Sequence, residues 1–173
     1  APAETWTWTA FPGSACGNGA ETGVGVNLTN KSNDVLIYLM GGGACWNALT
    51  CDPRVGAATY VDTGYAAAQF SQENVLGAGP FQRGNAANPF KDMSFVFVPY
   101  CTGDVHGGDK VTTYPPQSAP FAIPERTIHH KGAANMALFI ERMRETFPNV
   151  QRVFHPGSSA GAYGAQLNFP KLK

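Results

Sequence analysis

Three short apolar runs along the chain predict the central strands of a sheet. They span residues 35–40, 94–98 and 150–155, and each is too short for a typical helix. The first run is apolar on both faces, which is typical of a strand that helices cover on each side. Nearer the start of the chain, residues 6–11 alternate aromatic side chains with threonine and predict an edge strand. Residues 23–28 predict another short strand.

One amphipathic helix is predicted between the second and third apolar runs. Residues 133–147 carry an apolar stripe made of Met136, Phe139, Ile140 and Met143. A strand, a helix and a strand in this order predict a right-handed crossover that joins two parallel strands. The predicted fold class is therefore α/β, with a mostly parallel sheet and helices on both of its faces.

Two long segments, residues 52–89 and 102–124, have no strong hydrophobic period. Loops of this length in a compact domain are usually functional or contain short irregular helices. We therefore expect both segments to lie at the site or to contain short helical turns.

Composition narrows the class of function. The chain has 173 residues with 12 basic and 12 acidic side chains, so its formal net charge is zero. A neutral surface has no long-range attraction for phosphates or anionic lipids, which argues against nucleic acid and membrane partners. Hydrophobic residues make up 43% of the chain, enough to exclude intrinsic disorder. No apolar stretch approaches the roughly 20 residues that a membrane-spanning helix requires.

The four cysteines indicate an oxidising compartment. Their number is even, and they form no C-x-x-C pair, so two disulfides are favoured over a zinc site or free buried thiols. The set is Cys16, Cys45, Cys51 and Cys101, and their spacing leaves the pairing open. The chain begins at Ala1 rather than methionine, as it would after removal of a secretory signal. We therefore expect a secreted, extracellular or periplasmic protein.

The clearest chemical motif is a G-x-S-x-G sequence at residues 157–161, placed directly after an apolar strand and before a predicted helix. In this context the serine occupies a sharp strand-to-helix turn, and the flanking glycines avoid clashes where the backbone bends. Ser159 is then a candidate nucleophile, and the backbone N–H of Ala160 a candidate oxyanion donor. The alternative is a turn that arises from a glycine-rich composition.

A second candidate feature is the triglycine sequence at residues 41–43, which follows the strand predicted at 35–40. Hydrolases of this architecture place the second oxyanion donor in such a loop, because glycines allow N–H groups to approach the substrate closely. By itself the sequence is also compatible with a flexible turn.

Four motifs, in this order along the chain, carry a family resemblance. They are the triglycine ahead of Cys45, Asn-Pro-Phe at residues 88–90, the stretch 96–104 and the motif at 157–161. Together they resemble the pectin acetylesterase and Notum family of extracellular serine carboxylesterases. The resemblance runs from about Thr5 to the end of the chain, and it implies an α/β-hydrolase fold.

The resemblance also implies roles for individual residues. Ser159 would be the nucleophile, and the amides of Gly42, Gly43 and Ala160 would form the oxyanion hole. The implied disulfides join Cys16 to Cys101 and Cys45 to Cys51. The second of these brackets the triglycine loop and would limit its motion.

The chain departs from the family pattern at two points. Met40 stands where the family usually has an acidic residue before the glycines. The larger departure concerns the triad, which runs nucleophile, acid, histidine in this fold. None of residues 166–173 is Asp, Glu or His. We therefore expect residues 1–173 to be the N-terminal portion of a single domain. A C-terminal fragment of the same precursor would supply the Asp and the His.

The remaining histidines are weaker candidates. His155 lies back from the motif on the same predicted strand, and His129 and His130 are expected to be a cap or surface feature. His106 follows a central strand, so with Trp46 and Tyr100 it is a candidate for the pocket wall.

A cation site is the alternative use of the loop that carries His106. Asp104, His106 and Asp109 are potential ligands, and the loop could equally be a structured substrate loop. We favour the substrate loop, because these three residues do not specify a metal site.

The predicted function is that of a secreted serine ester hydrolase, which removes an acetyl or longer acyl group from a saccharide or another extracellular acceptor. This chemistry needs no metal or organic cofactor. The alternative is a catalytically silent α/β-hydrolase scaffold that serves as a binding module. A carbohydrate-binding β-sandwich conflicts with the predicted crossover helix.

Overall fold

The computed structural model describes residues 2–55 and 58–172. Its strands, in chain order, are β1 Thr7–Ala10, β2 Gly23–Asn27, β3 Val35–Leu39, β4 Ser94–Val98, β5 Lys110–Tyr114, β6 Arg126–His130 and β7 Val153–Phe154. The α-helices are α1 Ala67–Phe70, α2 Gly132–Thr146 and α3 Ala160–Asn168. Short 3-10 turns span Asn74–Gly77, Gly79–Phe81 and Phe169–Leu172.

Five strands form the main sheet, in the order β1-β2-β4-β3-β7. The pairs β3–β4 and β3–β7 are parallel, whereas β1–β2 and β2–β4 are antiparallel. The α/β class is confirmed, but the sheet is mixed rather than mostly parallel. Strands β4 and β7, which the sequence placed before and after the predicted helix, run parallel as predicted, yet they do not pair with each other because β3 lies between them.

Each face of the sheet is covered. On one face, Met136, Phe139 and Ile140 of α2 pack against alternate side chains of β3 and β4, including Ile37 and Val96. This is the stripe that the sequence predicted, and it is buried because it faces the sheet.

Segment 65–93 covers the opposite face. Tyr65, Phe70 and Phe81 pack there against Phe95 and Phe97 of β4. The segment contains α1 and two 3-10 turns, so the expectation of short irregular helices in this aperiodic region is confirmed.

A second, two-stranded sheet pairs β5 with β6 antiparallel, with Lys110 opposite His130. The sequence predicted a loop over much of this hairpin and a cap or surface position for its histidines. That prediction is wrong for His130, which is buried in β6 and bonds Thr102 O through Nδ1 at 2.8 Å and Tyr114 Oη through Nε2 at 2.9 Å.

Two disulfides are present, Cys16–Cys101 and Cys45–Cys51, with Cα–Cα distances of 5.0 Å and 4.9 Å. The pairing implied by the family resemblance is thereby confirmed. Within the described part of the chain, no helix has the length and apolar character needed to cross a membrane.

Candidate active site

Ser159 lies at a sharp turn between β7 and α3. Its φ of 50° and ψ of −120° lie outside the regions that side-chain-bearing residues normally occupy. Such a conformation costs about 1–3 kcal/mol and persists only where the surrounding contacts impose it. The residue is exposed, and Ala160 behind it is buried as the first residue of α3. The geometry is that of a nucleophile elbow.

The two glycines that flank the turn are there because there is no space for a Cβ. A Cβ on Gly157 would lie 2.8 Å from Ala162 N and closer still to the backbone of Gly161. One on Gly161 would lie 2.7 Å from Leu39 C. The start of α3 therefore packs directly on the last residues of β3, backbone against backbone.

The triglycine loop begins at this same point of contact. The Gly41 N–H donates a hydrogen bond to Ser158 Oγ at 3.2 Å, and a Cβ on Gly41 would lie 3.0 Å from Ser159 Cβ. The parallel pairing of β3 also continues past the end of β7, through a bridge between Leu39 and Gly157. The structure thus brings together the two motifs that the sequence singled out.

The next two glycines have backbone conformations that favour glycine, with φ of 154° at Gly42 and 76° at Gly43. The Gly42 carbonyl accepts a hydrogen bond from Thr59 N at 2.8 Å. Because C=O and N–H point in opposite directions across a trans peptide, the Gly43 N–H points away from Thr59. Across residues 2–55 and 58–172, the amides of Gly42, Gly43 and Ala160 donate no hydrogen bond.

Within the described ranges, the Ser159 hydroxyl forms no hydrogen bond with a histidine or a carboxylate. His155 lies four residues before Ser159, and its Nδ1 is 3.1 Å from Ile37 O. Its Nε2 is buried without a hydrogen-bond partner. Burial lowers the pKa of this imidazole.

The three predicted pocket residues do not share one environment. Trp46 is 67% exposed and lies within the Cys45–Cys51 ring, where its backbone N–H donates a hydrogen bond to Thr50 Oγ1. Tyr100 and His106 are 0% and 3% exposed. Both side chains therefore pack inside the described part of the protein, and neither lines an open pocket wall there as predicted.

The loop with Asp104, His106 and Asp109 does not form the cation site considered above. The Asp104 carboxylate already accepts four hydrogen bonds, from Thr102 Oγ1 and from the backbone N–H groups of His106, Gly108 and Gly132. Asp109 forms an ion pair with Lys131 at 2.8 Å. Asp104 therefore ties this loop to the start of α2.

Another group of potential metal ligands consists of Cys45, Cys51 and His130, whose ligand atoms lie within 4.8 Å of one another. Both sulfur atoms are joined in a disulfide, so neither is a thiolate. Since zinc binds thiolates, these residues do not fit a metal in the oxidised protein.

A partly apolar surface adjoins the elbow. Among the described residues, strand β7 pairs with β3 on one side and has no partner on its other edge, and Val153 in it is 36% exposed. Next to it, α3 and the turn after it expose Tyr163, Leu167 and Phe169 by 54% to 65%. An open strand edge beside exposed apolar side chains is a surface that other chain segments usually cover.

Comparisons with known proteins agree on one family. The family model of pectinacetylesterase matches residues 9–173. The palmitoleoyl-protein carboxylesterase NOTUM of Schmidtea mediterranea is 30% identical over 173 residues, which cover 94% of this chain and 30% of the relative.

Solved structures give the same result for the fold. Two crystal forms of the Wnt deacylase Notum from Drosophila superpose with TM-scores of 0.66 and 0.63 at 18% and 17% identity. They cover 98% and 95% of this chain. The chain spans 46% of each of these structures.

Proposed function

The chain belongs to the pectinacetylesterase family, and on this premise we propose that it carries the nucleophile of a secreted serine carboxylic ester hydrolase. The contact between the two motifs carries the proposal: the triglycine loop meets the elbow through the Gly41 N–H and Ser158 Oγ. The exposed Ser159 hydroxyl lies next to a loop whose following amides have no partner among the described residues.

In the proposed reaction, Ser159 Oγ attacks the ester carbonyl while a histidine takes its proton. The resulting oxyanion accepts hydrogen bonds from the amides of Gly42, Gly43 and Ala160. The tetrahedral intermediate then collapses, the histidine protonates the departing alcohol, and an acyl group remains on Ser159. Water, activated by the same histidine, releases the acid and restores the hydroxyl.

We propose that the Asp and the His come from a polypeptide segment outside residues 1–173, in the same domain. The open edge of β7 and the apolar side chains of Tyr163, Leu167 and Phe169 support this, because together they form a surface that such a segment would cover. The buried, unpartnered Nε2 of His155 borders the same region. Mass and N-terminal sequencing of every polypeptide in the purified protein test it. A single folded, active polypeptide that ends at Lys173 would contradict it.

For the substrate, we propose an acetyl or longer acyl ester on a saccharide or another extracellular acceptor. The two disulfides suit an oxidising environment outside the cytoplasm. The exposed Trp46, held next to the triglycine loop by the small disulfide ring, offers a flat apolar surface to such a substrate. Nitrophenyl esters of increasing acyl length, together with acetylated polysaccharides, would separate a deacetylase from a long-chain deacylase.

The test of the catalytic assignment is covalent labelling of the intact protein with a fluorophosphonate. We expect stoichiometric modification at Ser159 and loss of ester hydrolysis. Ser159→Ala should abolish labelling and reduce ester hydrolysis to a residual rate about 10³–10⁴-fold above that in water, which the remaining amides supply. Ser71→Ala is the control, since it removes an exposed hydroxyl that bonds Ala68 O in α1 and should leave labelling in place.

The alternative, a catalytically silent scaffold that serves as a binding module, is favoured by one observation. Within the described residues, no histidine or carboxylate bonds Ser159. If the intact protein is folded and fails to react with the fluorophosphonate, the scaffold is the correct interpretation.

A further inference from the structure

His106 lies buried between the two halves of the candidate site, and the function proposed above gives it no role. We propose that it is a positioning residue, which fixes the orientation of the triglycine loop relative to α3, the helix that follows Ser159. This inference rests on the proposed function, in which amides of that loop hold the oxyanion. Among the described residues, the His106 side chain bonds the loop at Met40 O and forms no hydrogen bond with Ser159, so it would act through the loop.

The peptide unit between Met40 and Gly41 contacts both halves of the candidate site. The Met40 carbonyl lies 2.9 Å from His106 Nε2, and the Gly41 N–H donates to Ser158 Oγ at 3.2 Å. Since a carbonyl only accepts hydrogen bonds, Nε2 carries the proton here. The two ends of the peptide point in opposite directions. The unit that opens the triglycine loop is therefore held from both sides, by His106 and by the elbow.

The same imidazole also packs against α3. A Cβ on Gly164 of α3 would lie 2.7 Å from His106 Cδ2 and 3.0 Å from Cγ, so the ring occupies the space that this glycine leaves. One turn further along α3, Asn168 Nδ2 donates to His106 O at 3.0 Å. His106 therefore contacts both elements whose relative position the oxyanion hole requires.

The backbone around His106 is held in an uncommon conformation. Val105 and His106 have φ of 52° and 58°, two consecutive side-chain-bearing residues in the left-handed region. Asp104 Oδ1 accepts from His106 N at 3.1 Å, and Tyr100 Oη accepts from Val105 N at 2.9 Å. Strained backbone conformations that persist because the surrounding contacts impose them cluster at functional sites.

Burial lowers the pKa of the His106 imidazole. The ring is therefore neutral near pH 7 and has one N–H to donate, which the Met40 carbonyl takes.

The test compares His106→Leu, which removes the donor, with His106→Gln, whose amide can donate from a similar position. Asn135→Leu is the matched control. Asn135 is 5% exposed and bonds both backbone groups of Ala15 at 2.9 Å, so its loss also removes buried side-chain-to-backbone hydrogen bonds. Two readouts are taken on the intact protein: kcat and KM for a nitrophenyl acetate, and hydrogen exchange of the amides of residues 41–43.

For His106→Leu we expect kcat to fall by about 100-fold while KM changes by less than about threefold, as for a displaced oxyanion donor. Exchange at residues 41–43 should rise. His106→Gln should restore kcat to within about tenfold of wild type, and Asn135→Leu should leave both readouts unchanged. If His106→Leu does not fold, His106→Asn takes its place in both readouts, because its shorter side chain leaves the Met40 carbonyl without its donor.

The proposal is overturned if exchange at residues 41–43 is the same in His106→Leu and wild type. It is also overturned if His106→Gln and Asn135→Leu lose kcat in proportion to their lost stability. The exchange readout does not depend on catalysis. If wild type hydrolyses no ester, the proposed function fails, and exchange alone still decides whether His106 fixes the loop.

Discussion

Replacing Gly161 with alanine tests how closely α3 must pack on the end of β3. A Cβ at this position would lie 2.7 Å from Leu39 C and 2.8 Å from Met40 O, and closer still to Leu39 O. Real Cβ atoms essentially never come within 3.0 Å of such neighbours. Because these neighbours are backbone atoms, no side-chain rotation relieves the contact, and α3 or β3 has to move.

The Gly161→Ala substitution should reduce both stability and catalysis, and the two losses can be measured separately. Overpacking of this kind costs about 1–3 kcal/mol of unfolding free energy, which for a domain of this size lowers Tm by about 2–12 °C. In addition, a shift of Ser159 by about 1 Å relative to the triglycine loop predicts a loss of about 100-fold in kcat. The catalytic loss should persist at temperatures well below the new Tm.

The assay compares Gly161→Ala with Gly84→Ala in the intact protein, by thermal unfolding, ester hydrolysis and the rate of fluorophosphonate labelling. A Cβ on Gly84 would meet no atom within 4 Å, so this control should behave as wild type. If Gly161→Ala keeps kcat within about threefold and Tm within about 2 °C of wild type, the packing of the elbow on β3 is not as described and the reasoning fails.

Two further predictions concern stability. Burial lowers the pKa of both His106 and His155. The unfolded chain therefore binds protons that the folded chain does not, and unfolding free energy should fall from about pH 6.5 downward, by up to about 1.4 kcal/mol per pH unit for each histidine. Urea denaturation at several pH values checks this, and a flat profile would contradict it. Removing the Cys45–Cys51 disulfide should cost about 2 kcal/mol and removing Cys16–Cys101 about 4–5 kcal/mol, because loop entropy grows with loop length. Serine double variants measure both, and equal losses would count against the chain-entropy account.

The main sheet could be predicted because its central strands are buried on both faces. Strands β3 and β4 consist of continuous apolar runs, and α2 carries an unbroken apolar stripe, so local pattern and final environment agree. Strand order could not be predicted in the same way. The crossover rule fixes that β4 and β7 run parallel, but it does not say that β3 lies between them.

The β5–β6 hairpin was missed for a physical reason. Its strands are half exposed, and β5 is Lys-Val-Thr-Thr-Tyr, with few apolar residues to mark a buried face. Ile128 and Tyr114 pack on a small cluster around the Cys45–Cys51 disulfide rather than on the main core. Tertiary packing of this kind leaves no periodic signal in the sequence.

The elbow was the most predictable part of the site, because the glycine spacing around Ser159 reflects a local steric need that the structure bears out. The position of His106 was not predictable. Its contact with Met40 joins residues 66 apart in sequence, and its burial depends on the space left by Gly164. The sequence signal that pointed to it, a histidine after a central strand, also fits a residue that lines an open pocket.

The most direct test of whether Ser159 and the triglycine loop form one catalytic site is a crystal structure of the intact protein after reaction with a fluorophosphonate. We expect phosphorus bonded to Ser159 Oγ and a phosphonyl oxygen about 2.7–3.1 Å from the amide nitrogens of Gly42, Gly43 and Ala160. A label on another residue, or a phosphonyl oxygen directed away from the triglycine loop, would contradict the account.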